Sequence, residues 1–235
     1  SPVTELIVNM GDKKNHALRA KSGKRIFALS ETETSGDILP NRYKQLADLI
    51  RFYKPKTILE TGTWNGGRAI EMALASFKNQ DSIHYIGFDL FEDATIHTDH
   101  AEFNVKPHNT MEAVEKRFTE FAEHMKEKED KTFTYELIKG NVRETLDKFV
   151  KTEALDEVDF ALMGSGNSIE TTQVEYEAFK NIPVVVIDHY FTKESEEDDS
   201  MPPEKYHGAK NVFDSVKTKM VDTEEKDTDG WTIFE

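Results

Sequence analysis

The sequence lacks cysteine altogether, since none of its 235 residues is one. This absence excludes disulfide bonds, thiolate catalysis and zinc sites with cysteine ligands. The sequence also has no apolar run of about 18 residues, the length at which a transmembrane helix is expected. Its first residues show no charged region followed by an apolar one, as a secretory signal peptide would. We therefore expect a cytoplasmic protein with no membrane partner.

Positive charge is scarce as well. Lysine and arginine number 30 against 45 aspartates and glutamates, which gives a formal net charge of −15. Binding to nucleic-acid phosphates relies on lysine and arginine, and the sequence holds no cluster of them that would offset this deficit. We therefore expect no nucleic-acid partner. Charged residues make up 32% and hydrophobic residues 37%, as is typical of a globular protein.

Short apolar runs alternate with helical patterns through most of the chain. This alternation predicts an α/β fold, Rossmann-like and doubly wound, with a mostly parallel sheet. The last apolar run is continuous, as expected of a central strand that is buried on both faces. The predicted strands are 57–61, 83–88, 134–138, 158–163 and 183–188, and the predicted helices are 67–78, 108–128, 142–151 and 169–181.

Three segments depart from this alternation. Residues 1–39 have weak periodicity and are predicted to form an N-terminal arm or lid, with a frayed extension as the alternative. Residues 40–235 form the predicted domain, into which residues 90–128 insert a helical segment. That helix packs on the sheet or faces a partner subunit, so a homodimer is left open. Residues 219–222 and 231–234 predict a terminal hairpin.

The turn after the first predicted strand carries the most specific signal. The strand reaches Glu60, and Gly62, Gly66 and Gly67 follow before a helix begins. Glycines let a ligand contact the backbone, and the new helix offers unpaired N–H groups. The spacing matches neither the dinucleotide pattern G-x-G-x-x-G nor a P-loop. About 22 residues past Gly67, the next strand ends at Asp89, where an acid commonly accepts from the two hydroxyls of a ribose. The two features together predict a pocket for a nucleoside-bearing cofactor.

This combination resembles the first motif of the class I S-adenosylmethionine-dependent methyltransferases, which is an acid, one residue, a glycine and then a second glycine. Residues 139–146 resemble the family's adenine-contacting stretch. The resemblance covers residues 40–235 and implies S-adenosylmethionine as the cofactor and a seven-stranded sheet closed by the C-terminal antiparallel hairpin. The cofactor-binding residues that it implies are Glu60, Gly62, Thr63, Trp64, Gly66, Asp89, Leu90, Asn141, Val142 and Gly164.

Three of these residues keep a structural alternative. For Asp89 the alternative is a loop acid at a strand end. The amide of Asn141 is expected to accept a hydrogen bond from the amino group of adenine, and the alternative is a helix cap. Trp64 is expected to wall the cofactor, and the alternative is packing on the neighbouring helix.

Residues 163–170 resemble the small-molecule O-methyltransferases of the macrocin and cephalosporin-hydroxylase-like branch. Members often show Ile-Asp-Gly-x-His-x-Tyr-Glu there, and in many of them the Asp belongs to the metal or catalytic centre. Gly164 and Asn167 stand in the places of that Asp and that His. The surviving acid is Asp188, and one carboxylate is too few for magnesium, so we expect no obligatory metal.

The candidate catalytic residues follow the fifth predicted strand. His189 is the candidate general base because it lies just past a buried strand and an unperturbed histidine titrates near pH ~6.5. Asp188 would orient its ring. The alternative is a structural histidine that binds a backbone carbonyl. His97, Asp99 and His100 have a metal-like look, but this spacing is common by chance.

These features predict a methyltransferase that uses S-adenosylmethionine and acts on a small molecule, at oxygen. One alternative is a protein that binds the cofactor but has lost methyl transfer, which the residues Gly164 and Asn167 favour. Another is a nicotinamide oxidoreductase on the same scaffold, against which the glycine spacing counts.

Overall fold

The structure, a computed structural model, describes residues 41–104, 106–188 and 207–219 and five short strands outside these ranges. The strands are β1 (Glu5–Met10), β2 (Lys14–Arg19), β3 (Arg25–Ala28), β4 (Thr57–Thr61), β5 (Ser82–Asp89), β6 (Thr132–Lys139), β7 (Phe160–Met163), β8 (Val184–Ile187), β9 (Glu224–Lys226) and β10 (Trp231–Phe234). The helices are α1 (Asn41–Tyr53), α2 (Gly67–Ser76), α3 (Ile96–Glu102), α4 (Met111–Glu129), α5 (Val142–Val150), α6 (Ile169–Phe179) and α7 (His207–Lys219).

Five parallel strands form the centre of the sheet, in the order β6-β5-β4-β7-β8. Counted along the chain, this is the order 3-2-1-4-5 of the Rossmann fold. The prediction of an α/β, Rossmann-like fold with a parallel sheet is therefore confirmed. The strand order reverses between β4 and β7, and open sheets bind ligands beyond the carboxyl ends of strands at such a reversal. The ends of β4 and β7 therefore mark the expected place of a site.

Helices cover both faces of this sheet. Successive side chains of a strand point to opposite faces, and in β8 Val185 belongs to one buried cluster while Val186 belongs to the other. The first cluster includes residues of α5, α6 and α7, and the second includes residues of α1, α2 and α4. Burial on both faces explains why the apolar runs of the central strands are continuous.

The prediction of a seven-stranded sheet closed by a C-terminal antiparallel hairpin was wrong. Strands β9 and β10 pair antiparallel, but β10 lies beside β2, and β3 takes the place next to β8. The sheet thereby extends to ten strands, in the order β6-β5-β4-β7-β8-β3-β1-β2-β10-β9. Backbone hydrogen bonds between segments distant in sequence select these neighbours, and such pairing leaves no local signal in the sequence. Part of the predicted strand 219–222 lies outside the described residues.

The segment between β5 and β6 contains α3 and α4. Helix α4 packs on the sheet, because the ring of its buried Phe118 lies 5.4 Å from that of Tyr85 and 5.6 Å from that of Phe133. The prediction that the apolar stripe of this helix packs on the sheet is confirmed. Among the residues that the structure describes, no helix combines the length and the apolar character needed to cross a membrane.

Candidate functional site

A cavity of about 640 Å³ lies at the carboxyl edge of the sheet, beyond the ends of β4, β5, β7 and β8. Its volume falls within the range of about 300–1,000 Å³ that is usual for sites of small organic ligands. Most of the predicted site residues line it, and these are Gly62, Thr63, Trp64, Asp89, Leu90, Asn141, Val142, Gly164 and Asp188.

Two predicted site residues do not line the cavity, and a third lies outside the described residues. Glu60 and Gly66 are not among the residues that line the cavity. His189 lies outside the described residues, so its catalytic role stays a prediction. The cavity wall thus contains the strand-end residues but not the acid that begins the motif.

The glycines of the turn are required by close packing. Gly62 has φ +85°, and a Cβ on it would lie 2.8 Å from the carbonyl carbon of Gly164 in the loop after β7. Gly66 has φ +80°, and a Cβ there would lie 2.6 Å from the ring of Phe118 in α4. Both positions favour glycine through backbone conformation as well as space. The turn therefore packs closely against the loop after β7 and against α4. Of the two glycines, Gly62 lines the cavity and Gly66 does not.

Asp89 is fixed at the tip of β5 by backbone donors. Its Oδ2 accepts from the N–H of Trp64 at 2.8 Å, and its Oδ1 accepts from the N–H of Phe91 at 2.8 Å. Each carboxylate oxygen has two acceptor sites. Asp89 therefore ties its own strand end to the glycine turn and still presents acceptor sites to the cavity.

Trp64 forms part of the cavity wall and connects it to residues after α3. Its Nε1–H donates to the carbonyl oxygen of Pro107 at 2.8 Å, and the ammonium of Lys106 lies 4.8 Å from the ring centroid. That Trp64 walls a bound cofactor stays a prediction.

Arg68 and Asp188 line the base of the cavity, and Arg68 joins Asp188 to the buried Glu60 behind it. We call these three residues the floor. Its Nε donates to Glu60 at 2.6 Å and its Nη1 donates to Asp188 at 2.5 Å. The other oxygen of Glu60 accepts from the hydroxyl of Tyr85 at 2.6 Å. Burial raises the pKa of Glu60, and the guanidinium of Arg68 and the hydroxyl of Tyr85 oppose that rise. Arg68 and Tyr85 together thus satisfy both carboxyl oxygens of Glu60.

Sequence reasoning did not identify Arg68. No local pattern indicates it, because its partner Asp188 lies 120 positions away. The expected role of Asp188 was to orient His189, whereas one of its oxygens binds Arg68. Glu60 stays a predicted cofactor-binding residue, although its carboxylate already binds Arg68 and Tyr85.

Gly164 makes room for this cation. A Cβ on it would lie 2.5 Å from Nη2 of Arg68 and 3.0 Å from the carbonyl oxygen of Thr61. Asn167 is buried, and its Nδ2 donates to the carbonyl oxygen of Glu102 at 2.7 Å. The two residues that stand where the resembled branch has Asp and His thus have packing and hydrogen-bonding functions here.

The described residues contain no group of three acidic, histidine or cysteine side chains placed to hold a metal ion. In the segment with the metal-like spacing, Asp99 bonds instead to His108, with Oδ1 and Nε2 2.6 Å apart. Asn141 acts as the N-cap of α5, since its Oδ1 accepts from the N–H of Arg143 at 3.0 Å. Its helix-cap alternative is thus confirmed, and its contact with adenine stays a prediction.

Glu175 is a buried acid directly beneath the loop 164–168. It accepts from the hydroxyls of Thr61 at 2.6 Å and Ser165 at 2.9 Å. Burial raises its pKa to about 7, and these hydroxyls oppose the rise. Glu175 therefore changes charge near neutral pH next to the cavity wall.

No protein-family model matches this sequence, and no curated protein matches it closely. Two solved structures are similar to it. The O-methyltransferase TomG from Streptomyces achromogenes, solved with SAM, aligns with a TM-score of 0.51 and 17% identity over 85% of this chain and 78% of its own. An O-methyltransferase from Bacillus cereus, solved with SAH, aligns with a TM-score of 0.47 and 17% identity over 79% of this chain and 72% of its own. At 17% identity, the likeness to TomG shows a common fold.

Proposed function

We propose that this chain is a methyltransferase that uses S-adenosylmethionine and methylates an oxygen of a small molecule without an obligatory metal. The observation that carries the proposal is that Gly62 and Asp89 line the same cavity. Gly62 has no side chain and follows β4, and the carboxylate of Asp89 lies at the end of the adjacent strand β5. The similarity to TomG, whose structure contains SAM, supports a ligand of this kind on this fold.

The residues of the cavity fit the parts of this cofactor. Asp89 uses one acceptor site on each oxygen for the backbone, so the remaining sites are suited to two ribose hydroxyls. Gly62 leaves the backbone accessible to the methionine part. Leu90 and Val142 line the same cavity and offer apolar contact to an adenine ring. Asn141 beside them is proposed to face the edge of that ring.

The chain has to align the acceptor and take up its proton. When bound, the cofactor supplies an electrophilic methyl group on a sulfonium. We assign the proton to His189, which follows Asp188 of the cavity floor, with Asp188 fixing its position. Two described histidines, His97 and His108, also line the cavity, and they are the second choice for this role.

Binding measurements test the cofactor assignment. In isothermal titration calorimetry, S-adenosylhomocysteine should bind and NAD should not, and the former should raise the melting temperature by mass action. Asp89→Ala should weaken the binding by at least about tenfold, because it removes hydrogen bonds to a charged acceptor. Asp93→Ala is the control, since Asp93 is an exposed acid nearby that does not line the cavity. Folded protein that gives no heat with either S-adenosylmethionine or its product rejects the proposal.

A second candidate is a protein that binds this cofactor without transferring the methyl group. The structural functions of Gly164 and Asn167 favour it, because neither position contributes a catalytic side chain. Methyl-labelled S-adenosylmethionine, incubated with a panel of phenols, alcohols and carboxylic acids, separates the two candidates. Labelled product on any acceptor rejects the second one.

A further inference from the structure

Part of the segment between β5 and α4 lines the cavity but contributes no residue to the buried core. We call residues 94–104 and 106–108 the cap segment. It contains α3, and none of its residues is buried. Ile96, the large aliphatic side chain of α3, is 85% exposed. A seven-residue helix is too short to be stable by itself. Contacts with the rest of the protein must therefore hold the cap segment in place.

Both ends of the cap segment are anchored and lie close together. On its N-terminal side Phe91 is fully buried. On its C-terminal side α4 packs on the sheet, and the N–H of Met111 donates to the carboxylate of Glu92 at 2.9 Å. The cap segment is thus a loop with fixed ends. Its position against the cavity depends on the contacts that residues within the loop make with the rest of the protein.

The strongest tie of the cap segment is Glu102, the last residue of α3. Its Oε2 accepts from the N–H groups of Asn167 at 2.8 Å and Ser168 at 2.9 Å, at the start of α6. Its Oε1 accepts from the hydroxyl of Ser168 at 3.0 Å and from that of Thr171. Four donors thus converge on one carboxylate at a helix N-terminus, where negative charge is favoured. A weaker tie is the neutral hydrogen bond from Trp64 to Pro107.

The cap segment contributes a large share of the cavity wall, through residues that include His97, Thr98, Ala101, Lys106 and Glu102 itself. A ligand that binds against the strand ends is therefore covered by it. We propose that Glu102 is a positioning residue, which holds the cap segment closed over the cofactor through its bonds to the start of α6 and so sets the rate at which the cofactor leaves. This inference rests on the proposed function for the identity of the ligand.

Glu102 can be replaced without removing the N-cap residue of helix α6. Ser168 itself caps that helix, since its Oγ accepts from the N–H of Thr171 at 3.2 Å. In Glu102→Ala, α6 thus keeps its N-cap while the cap segment loses its main tie. Glu102→Gln keeps an acceptor but loses the charge. His100→Ala is the matched control, because His100 is exposed on the same helix and does not line the cavity.

Dissociation of S-adenosylhomocysteine, followed by stopped-flow displacement on the full-length chain, gives the first readout. Glu102→Ala should speed dissociation by about tenfold or more and change association by less than about threefold, since changes at an existing contact act mostly on the off-rate. Glu102→Gln should fall between that variant and the wild type, and His100→Ala should match the wild type. A merely structural function would instead lower the melting temperature and slow association in both Glu102 variants.

Hydrogen exchange of the ligand-free protein gives the second readout. Amides of α3 should exchange at least about tenfold faster in Glu102→Ala, while those of α6 and the central strands keep their protection. Unchanged exchange in α3, or a dissociation rate within twofold of the wild type, overturns the inference. Hydrogen exchange needs no ligand, so it tests whether Glu102 holds the cap segment even if S-adenosylhomocysteine does not bind. A lack of S-adenosylhomocysteine binding would reject only the proposed function.

Discussion

The floor and the cap segment of the cavity are built in opposite ways. The floor consists of residues at strand ends, such as Glu60 and Asp188, which are almost inaccessible to solvent and bonded to Arg68. The cap segment has no buried residue and depends on a few polar ties. Removing one partner in the floor leaves a buried charge without a counter-charge, whereas the main tie of the cap segment comes from Glu102, which is itself only partly buried.

Because of this difference, the floor and the cap segment should affect different properties: the global stability of the protein and the access of a ligand to the cavity. The floor is continuous with the two buried clusters of the sheet, so its geometry is fixed whenever the domain is folded. The cap segment can change position without disturbing those clusters, because none of its side chains belongs to them. Substitutions in the floor should therefore change global stability, and substitutions in the cap segment should change local opening.

The largest effect is expected from Arg68→Met. It leaves the buried carboxylates of Glu60 and Asp188 without their cation, and breaking a buried ion pair from one side lowers the free energy of unfolding by about 3–5 kcal/mol. Urea denaturation followed by circular dichroism measures this loss. The control is Arg51→Met, which breaks an exposed pair with Asp48 and should cost less than about 1 kcal/mol. Equal losses in both variants would contradict a fixed, buried floor.

A smaller effect, visible as a pH dependence, is expected from Glu175, which lies between the floor and the start of α6. Burial raises its pKa to about 7 from the model-peptide value of 4.5. Between these two values the folded state keeps a proton that the unfolded state has released, so stability falls as the pH rises through this window. Wild type should lose about 3 kcal/mol relative to Glu175→Gln from pH 4.5 to pH 7. Parallel stability curves for the two proteins would exclude this titration.

The smallest effect is expected from Trp64→Phe, which keeps a ring in the wall and removes the hydrogen bond to Pro107. A neutral hydrogen bond contributes about 0.5–1.5 kcal/mol, and an exposed one lies at the low end. The melting temperature should therefore change little, while amide exchange in the cap segment rises modestly. A loss of global stability comparable to that of Arg68→Met would show that the cap segment is part of the core.

The central sheet was predictable because its signal is local. The strand 57–61 was predicted with the bounds that the structure has, and the helices after β4, β6 and β7 start where they were predicted, at 67, 142 and 169. Buried strands need apolar runs, and helices need capping residues such as Asn141 and Ser168. The position of Asp89 beside the glycine turn follows from the same pattern, since neighbouring parallel strands end at one edge.

The rest depends on partners that are distant in sequence. Arg68 was missed because its partner Asp188 lies 120 positions away, and Glu102 was missed because Asn167 lies 65 positions away. The order of the outer strands is of the same kind, since β10 pairs with β2 from the other end of the chain. Spacing within a segment carries no information on such contacts.

The sequence by itself determined the alternation of strands and helices, the glycine turn and the acid at the tip of β5, because apolar periodicity and backbone conformation are properties of neighbouring residues. Only the tertiary structure decided which charges meet in the floor and how the cap segment is held. Those choices depend on burial and on hydrogen bonds between remote segments, and neither exists until the sheet has formed.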